Sequence, residues 1–228
     1  MSGLLYQKQC KAPAKGQHKG TLVFLHGLGD TGSGWFSTMR NVQQVVGPHI
    51  RVRCPTAPRM AVTLNGGAGC TAWHDLHSIS TDIDSAGDFA GIEDTTKTIH
   101  AILDEERQLV SSENIILGGF SQGAATTLYA GLQYPHKLAG FIVLSGYLPN
   151  FSTFAEKIHE SNKDTPIFVA HGDADAVVSI VAGRRAADTV RAAVGDHVTF
   201  RTYQGMPHSS SPEELSDVFD FIEERLPK

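Results

Sequence analysis

The sequence predicts an α/β fold: a mostly parallel, doubly wound sheet with helices on both faces and no large cap domain. Runs rich in Val, Ile, Leu and Phe recur between longer amphipathic stretches, a pattern typical of alternating strands and helices. Several runs are apolar without alternation, as in GFIVL at 140–144, and such strands suit a parallel sheet covered on both sides. Since 228 residues can form one core, we expect a single domain over residues 1–228.

Each apolar run predicts one strand, and the amphipathic segments between the runs predict the helices. The final helix has a clear start, because Ser211 can cap it, Pro212 suits the first helical position and Glu214 completes a capping box. A weaker strand is predicted near residues 3–9. The other strands are predicted near 20–26, 50–54, 114–120, 138–145, 166–171 and 197–203, and the helices near 34–46, 88–110, 122–133, 178–194 and 212–225.

Composition and charge restrict the partners. The net charge of -5 and the lack of a basic cluster argue against nucleic acid and leave at most transient contact with an anionic membrane. The irregularly spaced Cys10, Cys54 and Cys70 contain no CxxC pair, so we expect free thiols in a reducing compartment and no zinc site. Because the amino terminus lacks the apolar core of a signal peptide, the expected location is cytoplasmic.

The segment GFSQG predicts the nucleophile of a hydrolase. Gly119, Ser121 and Gly123 match the G-x-S-x-G elbow, and the required context is present, with an apolar strand before it and a helical pattern after it. The turn is so tight that side chains two residues on either side of the serine would collide with the strand and the helix. The serine hydroxyl is then exposed above the sheet, beside a helix amino terminus that can receive an oxyanion.

A serine nucleophile needs a base and a group that orients the base. On this architecture the acid precedes the histidine along the chain, and both follow later strands. His208 is the only histidine between the final predicted strand and the final predicted helix, which makes it the candidate base. Asp173 and Asp175 lie on one loop after the preceding strand, and spacing leaves open which of them orients the histidine and which ties down the turn.

The segment HGLG at 26–29, directly after the first long apolar strand, predicts half of an oxyanion hole. The two expected donors are the backbone NH groups of Leu28 and Gln122. The alternative reading of this glycine-rich segment is a phosphate-binding loop. It contains neither G-x-G-x-x-G nor the lysine of a P-loop, so nucleotide binding is disfavoured.

Five motifs in order make the chain resemble the acyl-protein thioesterase and cytosolic lysophospholipase family of small α/β-hydrolases: FLHGLGDTG, CPTAP, ILGGFSQG, HGDADAVV and TYQGMPHS. The resemblance implies an α/β-hydrolase fold, and it assigns the orienting acid to Asp175, the second aspartate of the HG-x-x-D segment. It also supports Ser121 and His208 as catalytic residues and Leu28 and Gln122 as oxyanion donors. No metal or cofactor is expected.

The sequence departs from the family pattern in two places. Relatives often have proline after the triad aspartate and again three residues later, where this chain has Ala176 and Ser179. The family segment S-W-[FY]-D reads Ala-Trp-His-Asp at 72–75. The first change affects the acid loop and the second the substrate groove, and neither removes a catalytic group.

Two segments bear on the substrate. The interval 147–164 is too short for a large lid, and an open site admits a bulky leaving group such as a cysteine of another protein. The loop 55–80 is rich in apolar residues, and the resemblance implies that it borders an acyl channel, with Trp73 and Leu76 as candidate substrate-binding residues. The alternative is that these residues only attach the loop to the body of the protein.

We therefore expect a serine hydrolase that removes long acyl groups from protein cysteines through an acyl-enzyme intermediate. The first alternative is a lysophospholipase or a general carboxylesterase acting on small esters, and the sequence does not separate these substrates. An alternative of another class is a noncatalytic lipid or protein binder on a hydrolase fold. The expected partner is an S-acylated protein or a lysophospholipid, and the oligomeric state is left open.

Overall fold

The computed structural model describes residues 9–12, 14–79 and 89–228. Seven strands form one sheet in the order β1-β3-β2-β6-β7-β8-β9, and every neighbouring pair is parallel except β1 with β3. The predicted, mostly parallel sheet is therefore confirmed. The strands are β1 Gln9–Ala12, β2 Gly20–Leu25, β3 Ile50–Pro55, β6 Ile115–Phe120, β7 Gly140–Leu144, β8 Ile167–Gly172 and β9 Val198–Tyr203.

The strands in the middle of the sheet are buried on both faces, as their unbroken apolar runs predict. Every residue of β2, β7 and β8 is buried. Alternate side chains enter two different cores, because successive residues of a strand point to opposite faces. Leu117 belongs to the core beneath one face and Ile116 to the core beneath the other.

Helices cover both faces, and their positions agree closely with the prediction. The helices α3, α4 and α6 pack in one core, whereas α1, α2 and α7 pack in the other. The prediction of a single helix near 34–46 is wrong in one respect, because this segment forms two helices separated by Arg40 and Asn41. The helices are α1 Gly32–Met39, α2 Val42–Val45, α3 Ile92–Arg107, α4 Gln122–Leu132, α5 Phe151–Phe154, α6 Ile180–Val194 and α7 Pro212–Arg225.

Two short strands were not predicted. The strands β4 Arg59–Ala61 and β5 Gly69–Thr71 form an antiparallel hairpin within the segment that the sequence suggested was a long loop. Gly66 and Gly67 adopt positive φ angles of 65° and 82° in the connection between them. The strand predicted near 3–9 lies largely outside the described residues, and β1 begins at Gln9.

The interval between β7 and β8 holds only small elements, as predicted. Residues 145–166 are all described, and they contain the short helix α5 followed by the 3₁₀ turns Ala155–Lys157 and Glu160–Asn162. No cap domain covers the carboxyl edge of the sheet from this segment. Within the described part of the chain, none of the helices is both long enough and apolar enough to cross a bilayer.

Half of the predicted capping box at the start of α7 forms. The Ser211 hydroxyl accepts a hydrogen bond from the backbone NH of Glu214 at 3.1 Å, and Pro212 occupies the first turn. The reciprocal bond is absent, because both carboxyl oxygens of Glu214 are buried with no hydrogen-bond partner among the described residues. Burial raises the pKa of Glu214 to about 8, so this side chain is protonated at neutral pH.

The Glu214 carboxyl makes the stability of the fold dependent on pH. Its pKa is above the ordinary value of 4.5, so its contribution to stability is complete below about pH 4.5 and is lost as the pH rises through about 8. We expect Glu214→Gln to remove this decline and to be the more stable protein at pH 8 by on the order of a few kcal/mol. Urea unfolding between pH 5 and pH 8 measures the effect.

The exposed neighbour Glu213 provides the matched control. Glu213→Gln should leave the pH dependence of stability as in the wild type. Parallel stability curves for the wild type and Glu214→Gln would contradict the assignment of a buried, protonated carboxyl.

Candidate active site

Three predicted side chains meet at the carboxyl edge of the sheet. Ser121 follows β6, Asp175 follows β8 and His208 follows β9, and the carboxyl ends of parallel strands lie at the same edge. The distance from Ser121 Oγ to His208 Nε2 is 2.9 Å, and that from His208 Nδ1 to Asp175 Oδ2 is 2.7 Å. The structure thus joins the three residues in one chain of hydrogen bonds.

The turn that carries Ser121 has the backbone of a nucleophile elbow. Ser121 adopts a left-handed φ of 55° with ψ of −119°, a combination that non-glycine residues rarely adopt. A Cβ at position 119 would lie closer than 3.0 Å to the Gly123 carbonyl group, and one at 123 would lie as close to the Leu25 carbonyl. The two glycines therefore allow β6, α4 and β2 to approach each other at the serine.

The structure distinguishes the two aspartates that spacing left open. Asp175 contacts His208, whereas Asp173 Oδ1 accepts a hydrogen bond from the backbone NH of Gly205 at 2.6 Å. Gly205 lies in the turn between β9 and His208. One carboxylate thus contacts the histidine and the other attaches the loop that carries it.

Asp175 is held as an anion in a nearly dry position. Its Oδ1 accepts from the backbone NH groups of Val177 and Val178, both at 2.9 Å. Burial alone would raise the pKa of this carboxyl, but hydrogen bonds from His171 and His208, the charge of His208 and the Val177 NH outweigh burial and hold the pKa well below its usual value. Asp175 can therefore accept a hydrogen bond from the Nδ1–H of His208. The unprotonated Nε2 of that ring then faces Ser121.

An aromatic stack supports the ring of His208. The ring centroid of Phe120 lies 4.8 Å from that of His208. The same Phe120 ring also contacts Trp35, with 5.0 Å between the two ring centroids. Phe24, which is buried in β2, packs at 5.0 Å against Trp35. The residue directly before the nucleophile therefore packs against the histidine, a contact that the motif did not reveal.

The loop after β2 approaches the serine closely. A Cβ at Gly27 would lie 3.4 Å from Ser121 Cβ. Leu28 is the next residue along the chain after this close approach of the two backbones. Among the described hydrogen bonds, neither the Leu28 NH nor the Gln122 NH donates to a protein acceptor. Gln122 is the first residue of α4, where backbone NH groups lack partners within the helix. Both NH groups thus lack a protein acceptor among the described residues, and their role as oxyanion donors stays a prediction.

Four hydrogen bonds fix the loop that carries Leu28. His26 is buried, and its Nε2 accepts from the Ala57 NH at 3.0 Å while Nδ1 lies 2.7 Å from the Gly27 carbonyl. Burial lowers the pKa of His26, which agrees with a neutral ring. The Trp73 indole NH donates to the His26 carbonyl at 2.7 Å, and the Gly29 NH donates to Thr71 at 2.8 Å.

Trp73 and Leu76, predicted as substrate-binding residues, lie in the core. Their exposed fractions are 1% and 3%, and both belong to the core formed with α3 and α4. Their positions agree with the alternative that they attach the loop to the body of the protein. A role in binding substrate stays a prediction. The Trp73 indole NH contacts the loop that carries Leu28, which the apolar character of Trp73 did not suggest.

The Gln122 side chain connects the elbow to the same loop. Its Oε1 accepts from the Trp73 backbone NH at 2.9 Å, and its Nε2 donates to the His74 carbonyl at 2.8 Å. The sequence drew attention only to the Gln122 backbone. The contacts of the Gln122 side chain join residues that are far apart in the sequence, so no local sequence pattern indicates them.

Comparison with known proteins identifies the class. A model of the Phospholipase/Carboxylesterase family matches residues 9–226. Acyl-protein thioesterase 1 of Neurospora crassa is 39% identical over 237 residues, covering 100% of this chain and 96% of that protein. Acyl-protein thioesterase 1 homolog 1 of Dictyostelium discoideum is 41% identical, covering 92% of each. The crystal structure of Zea mays acyl-protein thioesterase 2 superposes with a TM-score of 0.84 at 32% identity, covering 96% of this chain and 98% of that one.

The chain therefore belongs to the phospholipase/carboxylesterase family of α/β-hydrolases. The family that the five motifs resemble and the α/β-hydrolase fold are both confirmed.

The Gln122 side chain stabilises the site in a way that substitution can measure. We expect Gln122→Met, which keeps the backbone NH and most of the volume, to lower the free energy of unfolding by about 2–4 kcal/mol. Two buried hydrogen bonds are lost, and the His74 carbonyl loses its donor. Gln133→Met, at the other end of α4, removes one half-buried hydrogen bond and should cost under about 1 kcal/mol. Equal losses in urea unfolding would contradict this difference.

Proposed function

We propose that this protein is a serine hydrolase that cleaves long-chain acyl thioesters from protein cysteines. The observation that carries the proposal is the continuous hydrogen-bonded chain from Ser121 through His208 to Asp175 on a nucleophile elbow. The names of the relatives, acyl-protein thioesterases in three organisms, support the substrate class. The proposed catalytic residues are Ser121, His208 and Asp175.

In the first half of the reaction Ser121 Oγ attacks the carbonyl carbon of the thioester. His208 Nε2 takes the hydroxyl proton, and Asp175 stabilises the imidazolium that forms and fixes the ring tautomer. The carbonyl oxygen becomes negative as the tetrahedral intermediate forms. The backbone NH groups of Leu28 and Gln122 are the proposed donors to this oxygen, and removing one such donor typically costs about 10² to 10³ in rate.

Collapse of the intermediate breaks the carbon–sulfur bond and leaves the acyl group on Ser121. The protein substrate leaves as a cysteine thiolate, or as the thiol after His208 returns the proton. In the second half, His208 removes a proton from water, the resulting hydroxide attacks the acyl-enzyme, and the proton returns to Ser121 Oγ as the fatty acid leaves.

The surroundings of the site favour a bulky leaving group and an apolar acyl group. The small elements between β7 and β8 leave the carboxyl edge open to a macromolecular substrate. Half-buried Leu28, Met60 and Leu64 pack against the core to which Trp73 belongs, and they offer apolar surface to the acyl chain. Each methylene buried there contributes about 0.8 kcal/mol.

Hydrolysis of lysophospholipids or small carboxylic esters is the second candidate activity. The family model is described as Phospholipase/Carboxylesterase, and the same chain of residues would attack an oxygen ester. In that case His208 must protonate the alcohol leaving group, because an alkoxide leaves less readily than a thiolate. We propose a cytoplasmic location, since Cys70 is a free thiol.

The principal test of the proposed function is hydrolysis of a palmitoylated cysteine peptide by wild type and Ser121→Ala. We expect the variant to lose at least about 10³-fold in kcat, because no other group replaces the nucleophile. Ser145→Ala is the matched control. Ser145 also has a positive φ after a parallel strand, and its hydroxyl has no partner among the described residues, so this variant should keep activity within about threefold.

The same proteins measured on a lysophospholipid and on a short-chain ester decide the substrate class. Values of kcat/KM that are highest for the long-chain thioester support the first candidate. A strong preference for short esters would refute it while keeping the hydrolase. Equal turnover of the thioester by wild type and Ser121→Ala would refute the nucleophile itself.

The two aspartates predict different losses of activity. We expect Asp175→Asn to lower kcat by about 10³- to 10⁴-fold, because an amide that donates to Nδ1 favours the wrong tautomer of His208. Asp173→Asn keeps a group that accepts from Gly205 and should lose less than about tenfold. Measurement of kcat for both variants assigns the orienting acid. A larger loss in Asp173→Asn would contradict the assignment to Asp175.

A further inference from the structure

A second histidine lies against the triad aspartate. His171 is the fifth residue of β8, the strand between β7 and the edge strand β9, and its exposed fraction is 0%. Its Nε2 lies 2.8 Å from the Val178 carbonyl oxygen and 3.5 Å from Asp175 Oδ2. This buried imidazole takes no part in the proposed proton transfers, although the same carboxylate oxygen, Asp175 Oδ2, contacts His208.

The neighbours of the ring determine which nitrogen carries the proton. Both groups near Nε2 are acceptors, a carbonyl oxygen and an ionised carboxylate, so the tautomer that fits carries its hydrogen on Nε2. Nδ1 is buried with no hydrogen-bond partner among the described residues, and it faces α6 at Gly183. A proton on Nδ1 would leave a buried donor unsatisfied there, so the neutral ring is favoured.

His171 touches both ends of the turn that presents Asp175. Oδ1 of Asp175 already accepts from the NH groups of Val177 and Val178, which closes the turn from within. The His171 Nε2–H attaches the carbonyl of Val178 and the second carboxylate oxygen to the rigid strand β8. No proline stands between Asp175 and Ser179 to restrict the backbone of this turn, so its conformation depends on hydrogen bonds.

We propose that His171 is a positioning residue for the reaction, whose Nε2–H holds Asp175 Oδ2 and the Val178 carbonyl so that the carboxylate meets His208. This inference rests on the proposed function. It assigns His171 no contact with the substrate, and its effect is carried entirely through Asp175. Loss of the Nε2 donor should therefore change the reaction rate more than substrate binding.

Two substitutions of similar shape separate the donor from the volume. The amide nitrogen of Gln can occupy the place of Nε2 and donate to the same acceptors, whereas Met has similar length and no donor. We expect His171→Met to lose about 10- to 100-fold in kcat, with KM within about threefold. His171→Gln should stay within about threefold of the wild type.

The pH dependence of kcat/KM distinguishes loss of the Nε2 donor from loss of packing, because loss of packing alone would not shift it. Without the His171 donor the Asp175 carboxylate stabilises an imidazolium beside it more strongly, so the acid side of the kcat/KM profile should move to higher pH in His171→Met and not in His171→Gln. His100→Met is the control for loss of a half-buried histidine elsewhere. His100 Nε2 bonds the Ala130 carbonyl, far along the chain from the triad, so that variant should keep the wild-type profile.

Thermal unfolding identifies the variants that are folded when assayed. If His171→Met does not fold, His171→Asn replaces it, because its shorter amide reaches the place of Nδ1 rather than Nε2 and should show the same loss. Wild-type kinetics in His171→Met, or equal losses in His171→Met and His171→Gln, would overturn the positioning role. Inactivity of the wild type itself on the thioester would instead refute the proposed function.

Discussion

The site depends on one steric constraint, the close approach of β6, α4 and β2 around Ser121. Glycine at 119 and 123 removes the two Cβ atoms that would otherwise collide with backbone carbonyls of α4 and β2. Ser121 itself stays in a left-handed conformation of the kind that costs about 1–3 kcal/mol, and the surrounding sheet stabilises it. Its backbone NH donates to Leu144 of β7 at 2.8 Å, so strands on both sides of β6 hold the turn.

Around this turn, the loops after three other strands are held by polar contacts rather than by packing alone. The loop after β2 is attached to β5 and to Trp73, the turn after β8 to His171, and the loop after β9 to Asp173. The contacts of Trp73 and His171 are buried, where an unmade hydrogen bond costs about 1–3 kcal/mol, whereas the contact of Asp173 with Gly205 is exposed. The arrangement restricts the loop that carries Leu28, Asp175 and His208 to positions near Ser121.

Features that depend on local spacing could be predicted from the sequence. The strand, serine and helix of the elbow are consecutive, and chain order alone selected His208. Asp173 and Asp175 could not be separated by spacing, because their roles depend on where Gly205 and His208 lie after folding. Trp73 was considered for its apolar surface, while its indole NH acts on a carbonyl at position 26. The hairpin β4–β5 has strands of only three residues, too short for a periodic signal.

The role of Ser121 as nucleophile is tested by a crystal structure of the protein after reaction with a long-chain alkyl fluorophosphonate. We expect a covalent bond from phosphorus to Ser121 Oγ, with the phosphonyl oxygen within about 3 Å of both the Leu28 NH and the Gln122 NH. His208 should remain hydrogen-bonded to Asp175. An adduct on another residue, or a phosphonyl oxygen turned away from both NH groups, would contradict it.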